Sequence, residues 1–370
     1  MDSRPAQSDE AIYSPGEEPA AALEPRVHRD FEWILLGPHG IRAGWSILLF
    51  AAIYYLFQIA TGIAFFATGL VSETSAGTPK EMLAAELSAL LALSGATALM
   101  AFIERRRFLG YNLTGPRRLV HFVSGVGAGF AVLSLLVGTL AWGGWLRFSS
   151  APLAGSQALG FATIWGGGFL IVGLFEEGLI RCYPLVTLAR GINFWWALAV
   201  EITICLYLAL RGGQGAWGVY TAAALGLFPC FFVHQKAAPR SGFWCAAWVT
   251  STFFGYYHTL NNGESGIGIF AAACIGFVFC VSIRVTGSAW WAIGCHAGWD
   301  WGETYFYGTA NSGLTPQGSY LTSHPAGNPL WSGGAVGPEG SLLVLGAILL
   351  LLALVLVYGR WSARTTPAAV

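Results

Sequence analysis

The chain has 370 residues, of which 55% are hydrophobic and 10% charged, with a mean hydropathy of +0.58. Soluble domains carry roughly 25% charged residues, so this composition excludes an ordinary soluble domain and reads as an integral membrane protein. Nineteen Lys and Arg balance nineteen Asp and Glu. That leaves no basic field for nucleic acid and no acidic tail, and makes the lipid bilayer the expected partner.

Met1 to Pro25 is rich in Pro, Ala, Ser and acids and is expected to be disordered. Residues 1–40 therefore read as a disordered or interfacial segment ahead of the membrane. No basic stretch precedes a short apolar core there, so no secretory signal is expected, and the first membrane helix serves for targeting. Apolar runs near the ~20 residues that cross a bilayer follow at about 44–70, 82–103, 119–143, 161–185, 192–210, 216–234, 243–261, 266–284, 288–307 and 341–358. The expected fold is all-α, a polytopic transmembrane bundle of about ten helices forming one domain over 41–360, with a tail at 361–370. The runs 192–210 and 216–234 are short and weak, as in a tight hairpin.

Arg105, Arg106, Arg107, Arg117, Arg118, Lys236, Arg240, Arg284, Arg360 and Arg364 fall on one side of this topology, against Lys80 and Arg211 on the other. The positive-inside rule then puts both termini in the cytoplasm and the Gly-, Ser-, Pro- and Asn-rich loop 309–339 outside. Several of the sixteen Trp lie near run ends, as in an interfacial belt. The seven cysteines form no CxxC pair and read as small buried hydrophobes.

Ionised groups in hydrocarbon cost on the order of 3 kcal/mol each, so three within six residues demand a reason. Glu176, Glu177 and Arg181 stand in the fourth run. Glu177 and Arg181 are i, i+4, acid first, and can pair; Glu176 projects about 100° away and stays available. His258 ends an aromatic stretch, with Phe254 one turn before it. His296 and Asp300 are again i, i+4, so their side chains face the same way. Ala297 and Gly298 between them let a helix or substrate approach closely. Glu303 follows one turn later. Glu201 sits alone in the fifth run without a charged neighbour at i±3 or i±4, and is a further candidate for a catalytic or substrate role. His234, beside Gln235 and Lys236, reads as interfacial.

These groups resemble a known family. Glu176-Glu177-Gly178-Leu179-Ile180-Arg181 is EExxxR, Phe254 to His258 is FxxxH, and His296 to Asp300 is HxxxD. In that order they are similar to the CPBP intramembrane proteases, which include the type II CAAX prenyl endopeptidases and bacteriocin-processing or immunity proteins. The resemblance covers about 160–310, and implies an eight-helix core into which the hairpin at 192–234 is inserted. It also implies that Glu176 and His258 activate a water, that His296 and Asp300 stabilise the oxyanion, and that Glu177, Arg181 and Phe254 support the site or bind substrate. The implied substrate is a membrane protein, lipidated protein or peptide, and the implied location a bacterial inner membrane. Cys182 stands where the family often has Gly.

Members are commonly treated as metalloproteases, and Glu176, His258 and His296 could bind a divalent metal such as zinc. HExxH is absent, however, and a metal-free Glu/His site predicts the same residues. Two other readings compete with the protease: a catalytically silent scaffold or immunity factor, and an ion-coupled transporter. The last expects paired inverted repeats, and no such pairing is visible. One conflict stands within the expected topology: it places Glu176 and His296 toward the cytoplasm but His258 toward the far end of its helix.

Overall fold

The computed structural model describes residues 32–38, 40–70, 78–149, 153–238, 240–261, 263–314 and 317–365. The expectation of disorder for the N-terminal segment falls largely outside them. Ten long helices stand among the described residues: α1 Ala43–Ala67, α2 Pro79–Ile103, α3 Arg118–Trp142, α4 Gly155–Ala189, α5 Phe194–Arg211, α6 Trp217–Gln235, α7 Ser241–His258, α8 Gly266–Thr286, α9 Trp290–Trp301 and α10 Val344–Thr365. They match the ten apolar runs in order. Polar residues between runs start several of them. Thr78, with Pro79 behind it, accepts from the Glu81 backbone N–H; Asn193 caps α5 and Ser265 caps α8 in the same way.

Eight of the ten, all but α7 and α9, are long and apolar enough to cross a membrane. The chain is thus an all-α integral membrane bundle. The two exceptions carry His258 and His296 with Asp300. α7 contains Thr250, Ser251 and Thr252, all buried, and α9 has 12 residues, most of them buried. These helices are enclosed by their neighbours, so their polar groups face protein rather than lipid.

Two π-helical turns interrupt the helical geometry. Gly178–Cys182 lies within α4, immediately after Glu177, and Gly302–Phe306 extends α9. Such turns commonly occur at functional sites because the extra residue re-aims nearby side chains. Here the first carries Arg181 and the second carries Glu303.

Glycines set α9 against α3. A Cβ on Gly125 or Gly129 of α3 would collide with the carbonyls of Trp291 and Cys295; one on Gly294 or Gly298 of α9 would collide with those of Phe122 and Val126. Both helices therefore present a GxxxG face, and their backbones touch. The space expected beside Gly298 is filled by α3. One apolar core, with Leu93, Phe175, Leu185 and Trp248, joins α1, α2 and α4 to α7; another, with Leu133, Phe279, Cys295 and Leu351, joins α3 and α8 to α10. Glu177 and His296 come from the two sides of this division.

The loop before α10 is more ordered than a Gly- and Ser-rich composition suggests. Thr322–Pro325 pairs antiparallel with Leu146–Ser149, and helical turns follow at Pro329–Ser332 and Pro338–Gly340. At the opposite ends of the helices, Glu104 joins α2 to α4. It pairs with Arg190 at 2.9 Å and accepts from the hydroxyls of Tyr183 and Tyr111 at 2.9 and 3.1 Å.

Candidate active site

The ion pair expected within α4 is present. Arg181 Nη1 lies 3.2 Å from Glu177 Oε1, both side chains being wholly buried. The guanidinium stands 4.1 Å from the Phe254 ring centroid and 5.7 Å from that of Phe279, so cation–π contact supplements the pair. Asn112 donates to the Arg181 carbonyl at 2.7 Å, and a Cβ at Gly276 would strike the guanidinium.

His296 is the hub. Its Nδ1 is 3.0 Å from Glu177 Oε1, while its Nε2 is 3.4 Å from Asp300 Oδ2 and 3.8 Å from Glu176 Oε2. Three carboxylates thus surround one imidazole, whose two nitrogens can donate to different acids. The Glu176 side chain is 21% exposed and that of Glu177 is not exposed at all. The two adjacent acids therefore separate as expected, one paired in the core and the other accessible.

His258 Nδ1 is 2.8 Å from the Phe254 carbonyl. A carbonyl only accepts, so Nδ1 donates, and in the neutral imidazole this tautomer leaves the lone pair on Nε2. His258 lines a cavity of about 70 Å³ together with His296, Asp300, Glu264 and Glu339, and Phe254, Ile275 and Phe279 among its apolar walls. Phe254 reaches both histidines, at ring-centroid distances of 4.6 Å to His258 and 6.4 Å to His296. His258 and His296, which the expected topology places at different depths, both border this cavity. His258 does end α7, but the cavity runs along α8 from Gly268 to Phe279 and takes in both ends.

Glu176 and His258 form no ion pair or hydrogen bond with each other, and Glu176 is not among the residues that line the cavity. Glu201 is buried with its carboxylate beside the Thr252 hydroxyl of α7, and it does not line the cavity. His234 stacks on Phe194 at 5.9 Å, away from the site.

The expected metal set is not gathered. The donor atoms of Glu176, His258 and His296 do not all come within 4.8 Å of one another. Tetrahedral zinc, with ligands at about 2.0–2.2 Å, needs them closer than that. The three residues do not fit a shared metal in this arrangement.

Several acids near the site carry no sequence motif. Glu86 on α2 interacts electrostatically with Glu176 and His296. It lies in an apolar run, so the cost of charge in hydrocarbon that marked Glu176 marks it too. Glu264 and Glu339 lie in loops, where an acid is unremarked. Glu264 accepts from the Ser265 backbone at 2.9 Å, and burial, then the nearby Glu339, push it up to about 7.

The fold and site define a helical membrane protein with a buried constellation of carboxylates and histidines. Residues 230–302 match the family model of the type II CAAX prenyl endopeptidases, Rce1-like. The match spans His258, His296 and Asp300, begins after Glu176, and bears out the resemblance seen in the motifs. The family that this model describes is one of CAAX-type peptide hydrolases, and the match covers 73 of the 370 residues. No curated protein and no solved structure matches the chain.

Proposed function

We propose that this protein is an intramembrane endopeptidase that hydrolyses a peptide bond of a membrane-associated substrate through a water held between Glu176 and His258. The observation that carries this reading is the grouping around His296, with an accessible acid, a buried supporting acid and the His258 cavity on its borders.

In this reading Glu176 and the Nε2 lone pair of His258 remove a proton from the water as its oxygen attacks the peptide carbonyl. His296 donates to the oxyanion, an interaction worth about 3 kcal/mol for one donor in a site shielded from bulk water. An ionised Asp300 only accepts hydrogen bonds, so it acts through His296, its charge 3.4 Å from Nε2 supporting the imidazolium while the Nε2–H turns to the oxyanion. Glu177 does the same at Nδ1. As the intermediate collapses, the proton taken from water passes to the leaving amine, so proton transfer balances without another reactant. The fully buried Arg181 fixes Glu177 and has no direct part in the chemistry.

The test uses the full chain in proteoliposomes with a prenylated, CAAX-terminated peptide and an unprenylated membrane peptide, cleavage being read by mass spectrometry. Wild type should cleave at least one of them, and Glu176→Gln and His258→Ala should lower the rate 10²- to 10⁴-fold. Cleavage that is indifferent to both substitutions defeats the proposal. So does the lack of any Glu176-dependent change in the termini of the host's membrane proteins.

A further inference from the structure

Next to the hydrolytic site, and sharing Asp300 with it, lies a second concentration of charge. Asp300, Glu303 and Glu339 each place a carboxylate oxygen within 4.8 Å of the others. Asp300 is 6% exposed and Glu303 is 0% exposed. Among the described residues no lysine or arginine forms an ion pair with any of the three, and the one histidine contact is that of His296 with Asp300. Glu264 adds a further acid in the field of Glu339 and Glu303.

Glu303 supplies an independent observation. Its Oε2 accepts from the Trp299 indole at 3.1 Å, but its buried Oε1 has no hydrogen-bond partner. That oxygen is directed at the loop bearing Glu339: a Cβ placed on Gly337 would be 3.4 Å from it. An acceptor left bare in the interior carries a desolvation penalty that a ligand would remove. Glu339 reaches the same place from the other side, its Oε1 accepting from the Trp299 indole at 3.0 Å and its Oε2 from Ser312 at 3.1 Å. Asp300 and Glu339 both line the cavity, which gives an entry path.

We infer that Asp300, Glu303 and Glu339 form a site for a hard divalent cation of calcium's size, which pins the loop before α10 to the end of α9. An all-carboxylate donor set without nitrogen or sulfur selects calcium or magnesium over zinc. A largely buried set of protein carboxylates suits calcium, which takes about six to eight oxygens in flexible geometry, better than magnesium, which keeps several of its waters and is seldom held by an all-protein cage. The inference goes beyond the hydrolytic reading, and its test reads no activity, so the two can fail separately.

Trp299, bonded to two of the ligands, is a built-in sensitiser for terbium, a luminescent stand-in for calcium. The full-length protein in detergent, stripped with EDTA, would be titrated with Tb³⁺ under tryptophan excitation. The terbium complex would then be challenged with Ca²⁺ or Mg²⁺, and Tm measured with and without Ca²⁺. Wild type should give a saturable signal displaced by Ca²⁺ at least tenfold more readily than by Mg²⁺, and a Tm rise of roughly 5 °C at saturating Ca²⁺. Glu339→Gln, a loop substitution checked for folding by gel filtration and circular dichroism, should lose both responses, whereas Glu176→Gln should keep both. A terbium signal equal in wild type and Glu339→Gln, equal displacement by Mg²⁺, or a Tm that Ca²⁺ does not move would each overturn the proposal.

Discussion

One oxygen of Glu177 serves two partners: Oε1 receives Arg181 Nη1 at 3.2 Å and His296 Nδ1 at 3.0 Å. The ion pair inside α4 and the central histidine of α9 are therefore linked. Whatever disturbs Arg181 reaches His296 through a single atom.

Stability and activity should separate at this link. Glu177→Leu leaves the Arg181 guanidinium buried without its counter-charge, which costs about 3–5 kcal/mol. Adding Arg181→Met removes the orphan charge and should restore part of the loss. Hydrolysis should stay low in both variants, because His296 still lacks its Nδ1 partner. Thermal unfolding and cleavage assays on the same preparations check this, and a double variant less stable than Glu177→Leu would refute it.

The contact between α3 and α9 predicts a steric effect. Gly129→Val and Gly298→Val each force a branched side chain against a backbone carbonyl of the other helix. Each should cost about 1–3 kcal/mol or more, with Gly298→Val also displacing His296 and Asp300. Gly127, on the same stretch of α3, has open space at its Cβ position. Gly127→Val should therefore change Tm far less, which makes it the control.

Much of this architecture can be read in the sequence because the bilayer imposes a simple rule on hydrophobic length. The ten runs became ten helices, and i, i+4 spacing sufficed for Glu177–Arg181 and His296–Asp300. Spacing says less once partners lie far apart in the chain. No local pattern shows that His296 lies between Glu176, Glu177 and Asp300. Glu264 and Glu339 become informative only when the loops fold over the cavity. Isolation in hydrocarbon, the signal that raised Glu201 as a candidate, marks a buried acid without saying what it faces.

Glu104 should act as a staple between α2 and α4. Its carboxylate is 5% exposed and holds Arg190 together with two tyrosine hydroxyls. Glu104→Ala leaves those groups without their acceptor and should cost about 3 kcal/mol. Tyr183→Phe removes one hydrogen bond and should cost about 1 kcal/mol. Chemical denaturation of the two variants in detergent tests the ratio, and equal losses would show that the network does not depend on Glu104.

Glu264 predicts a pH dependence. Its folded pKa of about 7 lies above the ordinary value of 4.5, so folding favours the protonated form. The associated stability is fully present below pH 4.5 and is lost as pH rises through about 7. Glu264→Gln cannot ionise. With chelator present, it should match wild type at low pH and exceed it by about 1–3 kcal/mol at pH 8.5. Unfolding curves of the two proteins that stay parallel across this range would contradict the assignment.

The enclosure of α7 and α9 also bears on how the chain enters the membrane. Neither has the length and apolarity of a segment that partitions into lipid alone, while α8 between them does. Concerted insertion of the three is the expected outcome, with α8 giving the hydrophobic pull and the polar helices packing against protein partners. A chain truncated just after α7 would expose the His258 face to lipid, and quality-control proteases should remove it sooner than a chain truncated after α9.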